Sequence, residues 1–194
     1  TTKTKLALSA GPAVSGDLVV AGTSDGVVIA LNAEDGSERW QVSVSSEVLA
    51  APAVDQARGL VLVRTVDGKL IALDAFTGNE VWFAQQSVPR LTVRGTGSPV
   101  VTDDRVVAGF DNGKIAAYAL ADGSVLWEAL INPPSGRTEV ERLDDLNATV
   151  RVVGKNVYVT GYQGTVAAID LESGQVLWAR EISSSHARDR TIAC

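Results

Sequence analysis

The chain has 194 residues, 45% of them apolar, and a net charge of −6, enough hydrophobic material for a buried core and too much for a disordered chain. The acidic balance, with no block of basic residues, argues against nucleic acid as a partner, and no run of about 18 apolar residues is present to make a membrane-crossing helix. The one cysteine, Cys194, and the one histidine, His186, support no disulfide framework, metal-ligand spacing or Ser-His-Asp arrangement.

Taken in order, residues 1–9 (TTKTKLALS) are a lead-in whose Leu6 and Leu8 fit a strand. A short apolar piece around Pro12 (AGPAV) follows, then the dipeptide Asp25-Gly26, then ALNAEDGSERW, ending at Trp40. The same succession returns three times. The second copy has AAPAV (Pro52), Asp67-Gly68 and ALDAFTGNEVW, ending at Trp82. The third has GSPVV (Pro99), Asn112-Gly113 and AYALADGSVLW, ending at Trp127. The fourth has ATVRV, with Val150 in the proline position, Gln163-Gly164 and AIDLESGQVLW, ending at Trp178. The hairpin glycine, the second glycine and the tryptophan keep offsets of ten and then four residues in every copy. The tryptophans recur every 42 to 51 residues, a period that means stacked units or a propeller.

The second copy shows what one unit is. An apolar strand over residues 60–63 reaches Asp67-Gly68, a dipeptide suited to a two-residue hairpin because it supplies positive φ. A second strand covers residues 69–74, Phe76-Thr77-Gly78 makes the next turn, and a third strand over residues 80–83 carries Trp82. The proline-led piece adds one more strand, since proline is tolerated where a strand begins. Four short antiparallel strands make one propeller blade. The expected fold is therefore all-β, a partial β-propeller spanning 1–194, with blades at about 10–44, 48–86, 95–130 and 148–182. A small alanine before the third turn and a tryptophan after it predict a peg between neighbouring blades, formed by Trp40, Trp82, Trp127 and Trp178. Each such ring buries about 150–250 Å². No methionine occurs, position 1 included, so a processed or cut product is expected, any signal peptide removed.

The connectors lengthen along the chain. Trp40 to Pro52 is 12 residues, Trp82 to Pro99 is 17, and Trp127 to Val150 is 23. Added length between rigid blades is where function tends to sit. The first long connector contains RLTVRG; the second has a Pro-Pro-Ser-Gly turn and then TEVERLDDLNA.

The pattern A-x-D-x-x-T-G-x-x-x-W, met in full by Ala72, Asp74, Thr77, Gly78 and Trp82, resembles the tryptophan-docking repeat of quinoprotein-type (PQQ-like) β-propellers. The other copies depart from it: Asn32 and Ala119 replace the aspartate, and Asp35, Asp122 and Ser173 replace the threonine. The WD dipeptide of WD40 repeats is absent. RLTVRG, its spacing to FDNGKIAAY, and TEVERLDDLNATV are similar to the matching segments of the BamB family, periplasmic lipoprotein subunits of the outer-membrane β-barrel assembly machinery. That family closes with eight blades, so the resemblance implies half of an eight-bladed ring. It also implies contact with the periplasmic domains of the barrel subunit, BamA, through a Leu-x-Leu-Arg segment and an Asp-x-Asp pair. Here those become Leu91, Val93 and Arg94, and Asp145 and Asn147. Valine keeps an apolar contact at the second leucine; asparagine removes a charge. An arginine flanked by apolar side chains is a typical interface anchor. The residues alone also allow a plainer reading, with Leu91 and Val93 on one core face of a strand and Asp145 and Asn147 in a solvated turn.

The resemblance implies a non-catalytic scaffold in the periplasm, attached to the inner leaflet of the outer membrane by a lipid anchor outside this chain. Unfolded outer-membrane proteins are a further expected partner, through strand addition at an open edge; no cofactor or metal is expected. Two alternatives stay open, a PQQ-dependent dehydrogenase-like enzyme and a ligand-sensing propeller domain. The first lacks the adjacent-cysteine pair, and its candidate carboxylates, Asp25, Asp67, Asp74 and Asp170, fall at turns or strand ends. The second gives no reason for both connector motifs.

Overall fold

Among the described residues sixteen short strands follow one another, and each run of four closes into its own antiparallel sheet in chain order. The computed structural model describes residues 6–87, 97–110, 113–131, 150–161 and 164–182. Blade one is β1 (Ala13–Ser15), β2 (Leu18–Gly22), β3 (Val27–Asn32) and β4 (Glu38–Ser43); blade two is β5 (Ala53–Asp55), β6 (Leu60–Arg64), β7 (Lys69–Asp74) and β8 (Glu80–Gln85). Blade three is β9 (Val100–Val101), β10 (Arg105–Gly109), β11 (Lys114–Ala119) and β12 (Val125–Leu130); blade four is β13 (Arg151–Val153), β14 (Asn156–Thr160), β15 (Thr165–Asp170) and β16 (Val176–Glu181). The four sheets are those of a partial β-propeller. Pro12, Pro52 and Pro99 sit just before β1, β5 and β9, where the missing N–H costs little. Leu8 makes a single antiparallel bridge to Thr23 rather than a strand.

The first hairpin turn differs from the two-residue loop that Asp-Gly predicts. The Thr65 N–H donates to the Lys69 carbonyl (2.9 Å) and the Gly68 N–H to the Thr65 carbonyl (3.1 Å), so three residues, 66 to 68, form the loop. Among the described residues only glycines have positive φ, 86° at Gly68. A two-residue type I′ turn needs positive φ at both central residues; a type I turn followed by a left-handed glycine needs it at one.

The third turn is held by side chains. The Asp74 Oδ1 accepts from the Phe76 N–H (3.0 Å), the Thr77 N–H (2.7 Å) and the Thr77 hydroxyl (2.8 Å). Asp170 does the same for residues 172 and 173. In blades one and three, where the repeat is altered, the carboxylate stands three residues along: Asp35 takes the Ser37 N–H and hydroxyl while Asn32 still accepts from the Glu34 N–H (3.1 Å), and Asp122 takes the Ser124 N–H. In all four of these carboxyl groups the donors hold the pKa below its ordinary value. The erosion of the motif is thus an exchange of one turn-stabilising carboxylate for another.

The core lies between blades. One cluster joins Leu18, Val20, Val28, Ala30 and Trp40 of blade one to Val61, Val63, Ile71, Leu73 and Ala75 of blade two. Equivalent clusters join blades two and three, and three and four. Covered on both faces, β6 and β7 read as continuous apolar runs rather than alternating ones. Each outer strand carries one extra residue beside the tryptophan, so the register shifts after Ala30, Ala72, Ala117 and Ala168. Such a bulge bends the strand and re-aims its side chain. It leaves each tryptophan directly opposite that small alanine.

Candidate functional site: the connector rim and the blade pegs

Every outer strand ends beside the hairpin glycine of its own blade. The N–H groups of Val44, Gln86, Ile131 and Ile182 donate to the carbonyls of Gly26, Gly68, Gly113 and Gly164 at 2.8, 2.9, 3.1 and 2.9 Å. The hairpin turns and the connector departures therefore share one rim. The two long connectors leave it from adjacent blades, two and three. Leu91, Val93 and Arg94 on the first connector, and Asp145 and Asn147 on the second, lie outside the described residues, as do His186 and Cys194.

At the joint between blades two and three, this rim holds a polar and aromatic cluster. Gln86 is 6% exposed; its amide donates to the Tyr118 hydroxyl oxygen (3.0 Å) and to the Glu128 carboxylate. Lys114 pairs with the other oxygen of Glu128 at 3.2 Å. Tyr118 meets Phe110 edge to face, centroids 6.3 Å apart, and the buried Arg64 guanidinium lies 5.5 Å over the Phe110 ring. Burial pushes the Tyr118 phenol up to about 12, so it stays neutral. The Gln86 hydrogen bond foremost, then Lys114, lowers the Glu128 pKa against partial burial. This cluster escapes a reading based on the repeats alone. Its trace in the sequence is that Gln86, Arg64, Phe110 and Tyr118 stand where other copies carry Val44 and Ile131, Gly22 and Gly109, Thr23 and Thr65, and Leu31 and Leu73.

The tryptophans occupy the joints themselves. The indole N–H of Trp40 donates to the Ala75 carbonyl (2.9 Å), that of Trp82 to Leu120 (3.0 Å), and that of Trp127 to Leu171 (2.8 Å). Each ring covers the second glycine of the next blade: a Cβ on Gly78, Gly123 or Gly174 would come within 2.7, 2.4 and 2.7 Å of Trp40, Trp82 and Trp127. These glycines are required twice, by positive φ and by the ring above them. Trp178 instead packs against Tyr158 of its own blade, centroids 6.3 Å apart, and stays 43% exposed.

On the opposite rim, a cleft of about 240 Å³ opens between blades three and four, lined by Asp104, Arg105, Lys155 and Glu172 among others. Arg105 spends its donors on Asp104 (2.7 and 2.8 Å) and on the Leu171 carbonyl (2.9 Å). Among the described residues no group of three or more His, Cys, Asp or Glu side chains converges as a metal site would require.

Blades of four antiparallel strands, joined by a tryptophan laid on the next blade's glycine, define a quinoprotein-type β-propeller architecture. The family model for the outer membrane protein assembly factor BamB matches residues 1–191, and the chain belongs to that family. It is 44% identical over 174 residues to the outer membrane protein assembly factor BamB of Alteromonas naphthalenivorans, covering 90% of this chain and 41% of that relative. The chain thus spans less than half the length of this curated relative. The crystal structure of BamB from Moraxella catarrhalis superposes with a TM-score of 0.85 at 31% identity, over 93% of this chain and 55% of that one. The quinohemoprotein alcohol dehydrogenase of Comamonas testosteroni superposes at 0.73 with 22% identity, over 91% of this chain and 35% of that one, a likeness of fold alone.

Proposed function

We propose that this chain is part of a non-catalytic scaffold subunit for outer-membrane protein assembly. It works in the periplasm, held to the inner leaflet of the outer membrane by a lipid anchor. Its partner is the periplasmic portion of the barrel subunit BamA, and it aids insertion of outer-membrane proteins; unfolded clients add strands at an open edge. The role is positional. Rigid blades present two long connectors, and these orient the partner. Leu91, Val93 and Arg94 supply an apolar and cationic anchor, and Asp145 and Asn147 supply a polar contact, Asp145 the charged one.

The observation that carries this reading is the shared departure of both long connectors from one rim of adjacent blades, which family membership connects to assembly. The turn carboxylates point the same way. Asp74 and Asp170 accept hydrogen bonds from their own turns, so their place in the repeat is explained without a cofactor cage.

The test is binding of the chain to the periplasmic domains of the barrel subunit, with Arg94→Ala beside it and circular dichroism on both. The expected result is binding by the unmodified chain and loss of at least about 2 kcal/mol in the folded variant, as for an interface anchor. Equal binding by both would remove the first connector from the interface. Binding by neither, repeated with the full-length protein, would remove the partner.

A further inference from the structure

We propose, on the functional reading above, that the hydrogen bond from Gln86 to Glu128 is a positioning element of the partner site. It ties the root of the first long connector to the root of the second, and so fixes their spacing for a partner that grips both. The two roots belong to different blades. The Gln86 N–H is held by the Gly68 carbonyl of blade two (2.9 Å), and the Ile131 N–H by the Gly113 carbonyl of blade three (3.1 Å). Backbone bonds thus anchor each root within its own blade, and side chains join one root to the other.

The buried Gln86 amide crosses the joint to the Glu128 carboxylate on β12, three residues before Ile131. The same nitrogen donates to the Tyr118 hydroxyl oxygen at 3.0 Å. An amide nitrogen has two hydrogens to give, so both are used and the side chain has one orientation. The other Glu128 oxygen pairs with Lys114 at 3.2 Å. Lys114 follows Gly113 and stands opposite Leu130, the last residue of β12. The path from root to root is therefore Gln86, Glu128, Lys114 and the Gly113 carbonyl.

Blade stacking does not require this bridge. At the positions of Gln86 and Glu128, the joint between blades one and two carries Val44 and Phe83, and the joint between blades three and four carries Ile131 and Ala179. Neither pair can make the bond. Lys69, the counterpart of Lys114, instead lies over the Phe83 ring, 5.2 Å from its centroid. The bridge stands at the joint whose two blades give rise to the two long connectors. A partner held at two points gains affinity because its second contact forms at high effective concentration, and the gain falls when the spacing is not held.

The test is the affinity of the full-length protein for the periplasmic domains of the barrel subunit. Gln86→Leu and Glu128→Ala are each measured alone and together with Asp145→Ala, with circular dichroism on all. Other blades already carry apolar side chains at the first position and alanine at the second, so both variants are expected to fold. Alone, each is expected to bind roughly tenfold more weakly, a part of what two linked contacts gain. With Asp145→Ala one grip is already lost, and either addition is expected to leave the affinity unchanged. Hydrogen exchange reads the bridge without the partner. The Ile131 amide in Gln86→Leu, and the Gln86 amide in Glu128→Ala, are expected to exchange about fivefold faster, as when one supporting hydrogen bond is lost. The Val44 amide of blade one is expected to keep its rate. Folded variants that bind as the unmodified protein does overturn the inference. So does an equal weakening with Asp145→Ala present, which would mark a merely structural role, and so do unchanged rates at the far root. No binding by the unmodified protein would instead overturn the functional reading, and the inference with it.

Discussion

The joint between blades one and two and the joint between blades two and three use the same peg with different filling. At the first, Trp40 sits over Gly78 and joins an apolar cluster. At the second, Trp82 sits over Gly123, but toward the connector rim Gln86, Tyr118, Glu128, Phe110 and Arg64 stand in place of Val44, Leu73, Phe83, Thr65 and Gly22. The peg is what a blade needs in order to stack. The polar cluster is an addition, placed where the chain leaves blade two for its first long connector. Buried polar groups of this kind rigidify a joint only when each finds its partner.

The largest test of this contrast is removal of the peg. Trp40→Ala and Trp82→Ala should each cost about 3–5 kcal/mol in urea unfolding, the range for deleting a buried aromatic side chain. Nearly equal losses would show that the shared peg dominates both joints; a much smaller loss for Trp82→Ala would show that the polar cluster carries the second. Next come the seats. Gly78→Ala and Gly123→Ala place a Cβ 2.7 and 2.4 Å from the ring above, at φ of 74 and 72°. Each should cost about 2 kcal/mol, the usual penalty for overpacking a core, with Gly123→Ala the worse.

A smaller effect separates the two joints chemically. Gln86→Leu should cost about 1 kcal/mol, because Tyr118 loses a buried partner. Adding Tyr118→Phe should recover part of that cost, since removing both partners leaves less unsatisfied. If Gln86→Leu alone is neutral, the cluster adds nothing to the joint.

The smallest effect is pH-dependent. The Glu128 pKa lies below the ordinary glutamate value of 4.5, chiefly through the Gln86 hydrogen bond. A depressed carboxyl pKa stabilises the folded state above the unfolded value, and that stabilisation is lost as pH falls through the folded value. Glu128→Gln should therefore lower the Tm slightly at neutral pH, by the equivalent of about 0.5 kcal/mol for a half-exposed group. The gap should close on acidification below the ordinary carboxylate range. A gap independent of pH would assign the effect to packing.

Much of the molecule could be read from the sequence because its information is local and repeated. The strand boundaries around Lys69–Asp74, the prolines before the first strands and the turn over Phe76-Thr77-Gly78 all follow from offsets within one copy. The hairpin was misjudged by one residue, because Asp-Gly serves both a two-residue loop and a type I turn closed by glycine. The bulge beside each tryptophan was invisible because it occurs in every copy and so leaves the offset constant. The rim cluster was legible only as four separate departures from the repeat. The proposed contact residues, Leu91 to Arg94 and Asp145 with Asn147, come from resemblance and lie outside the described residues.

By itself the sequence determined the blade, its turns and its tryptophan, since these rest on hydrogen bonds and side-chain alternation within about forty residues. Only the tertiary structure decided what each tryptophan meets. Each of the three pegs bonds a carbonyl 35, 38 or 44 residues away in the next blade. It also decided that Gln86, Tyr118 and Glu128 converge and that both long connectors leave one rim. It placed Trp178 against Tyr158 of its own blade. Those facts depend on how rigid sheets stack, and stacking is set by faces that residue spacing alone does not bring together.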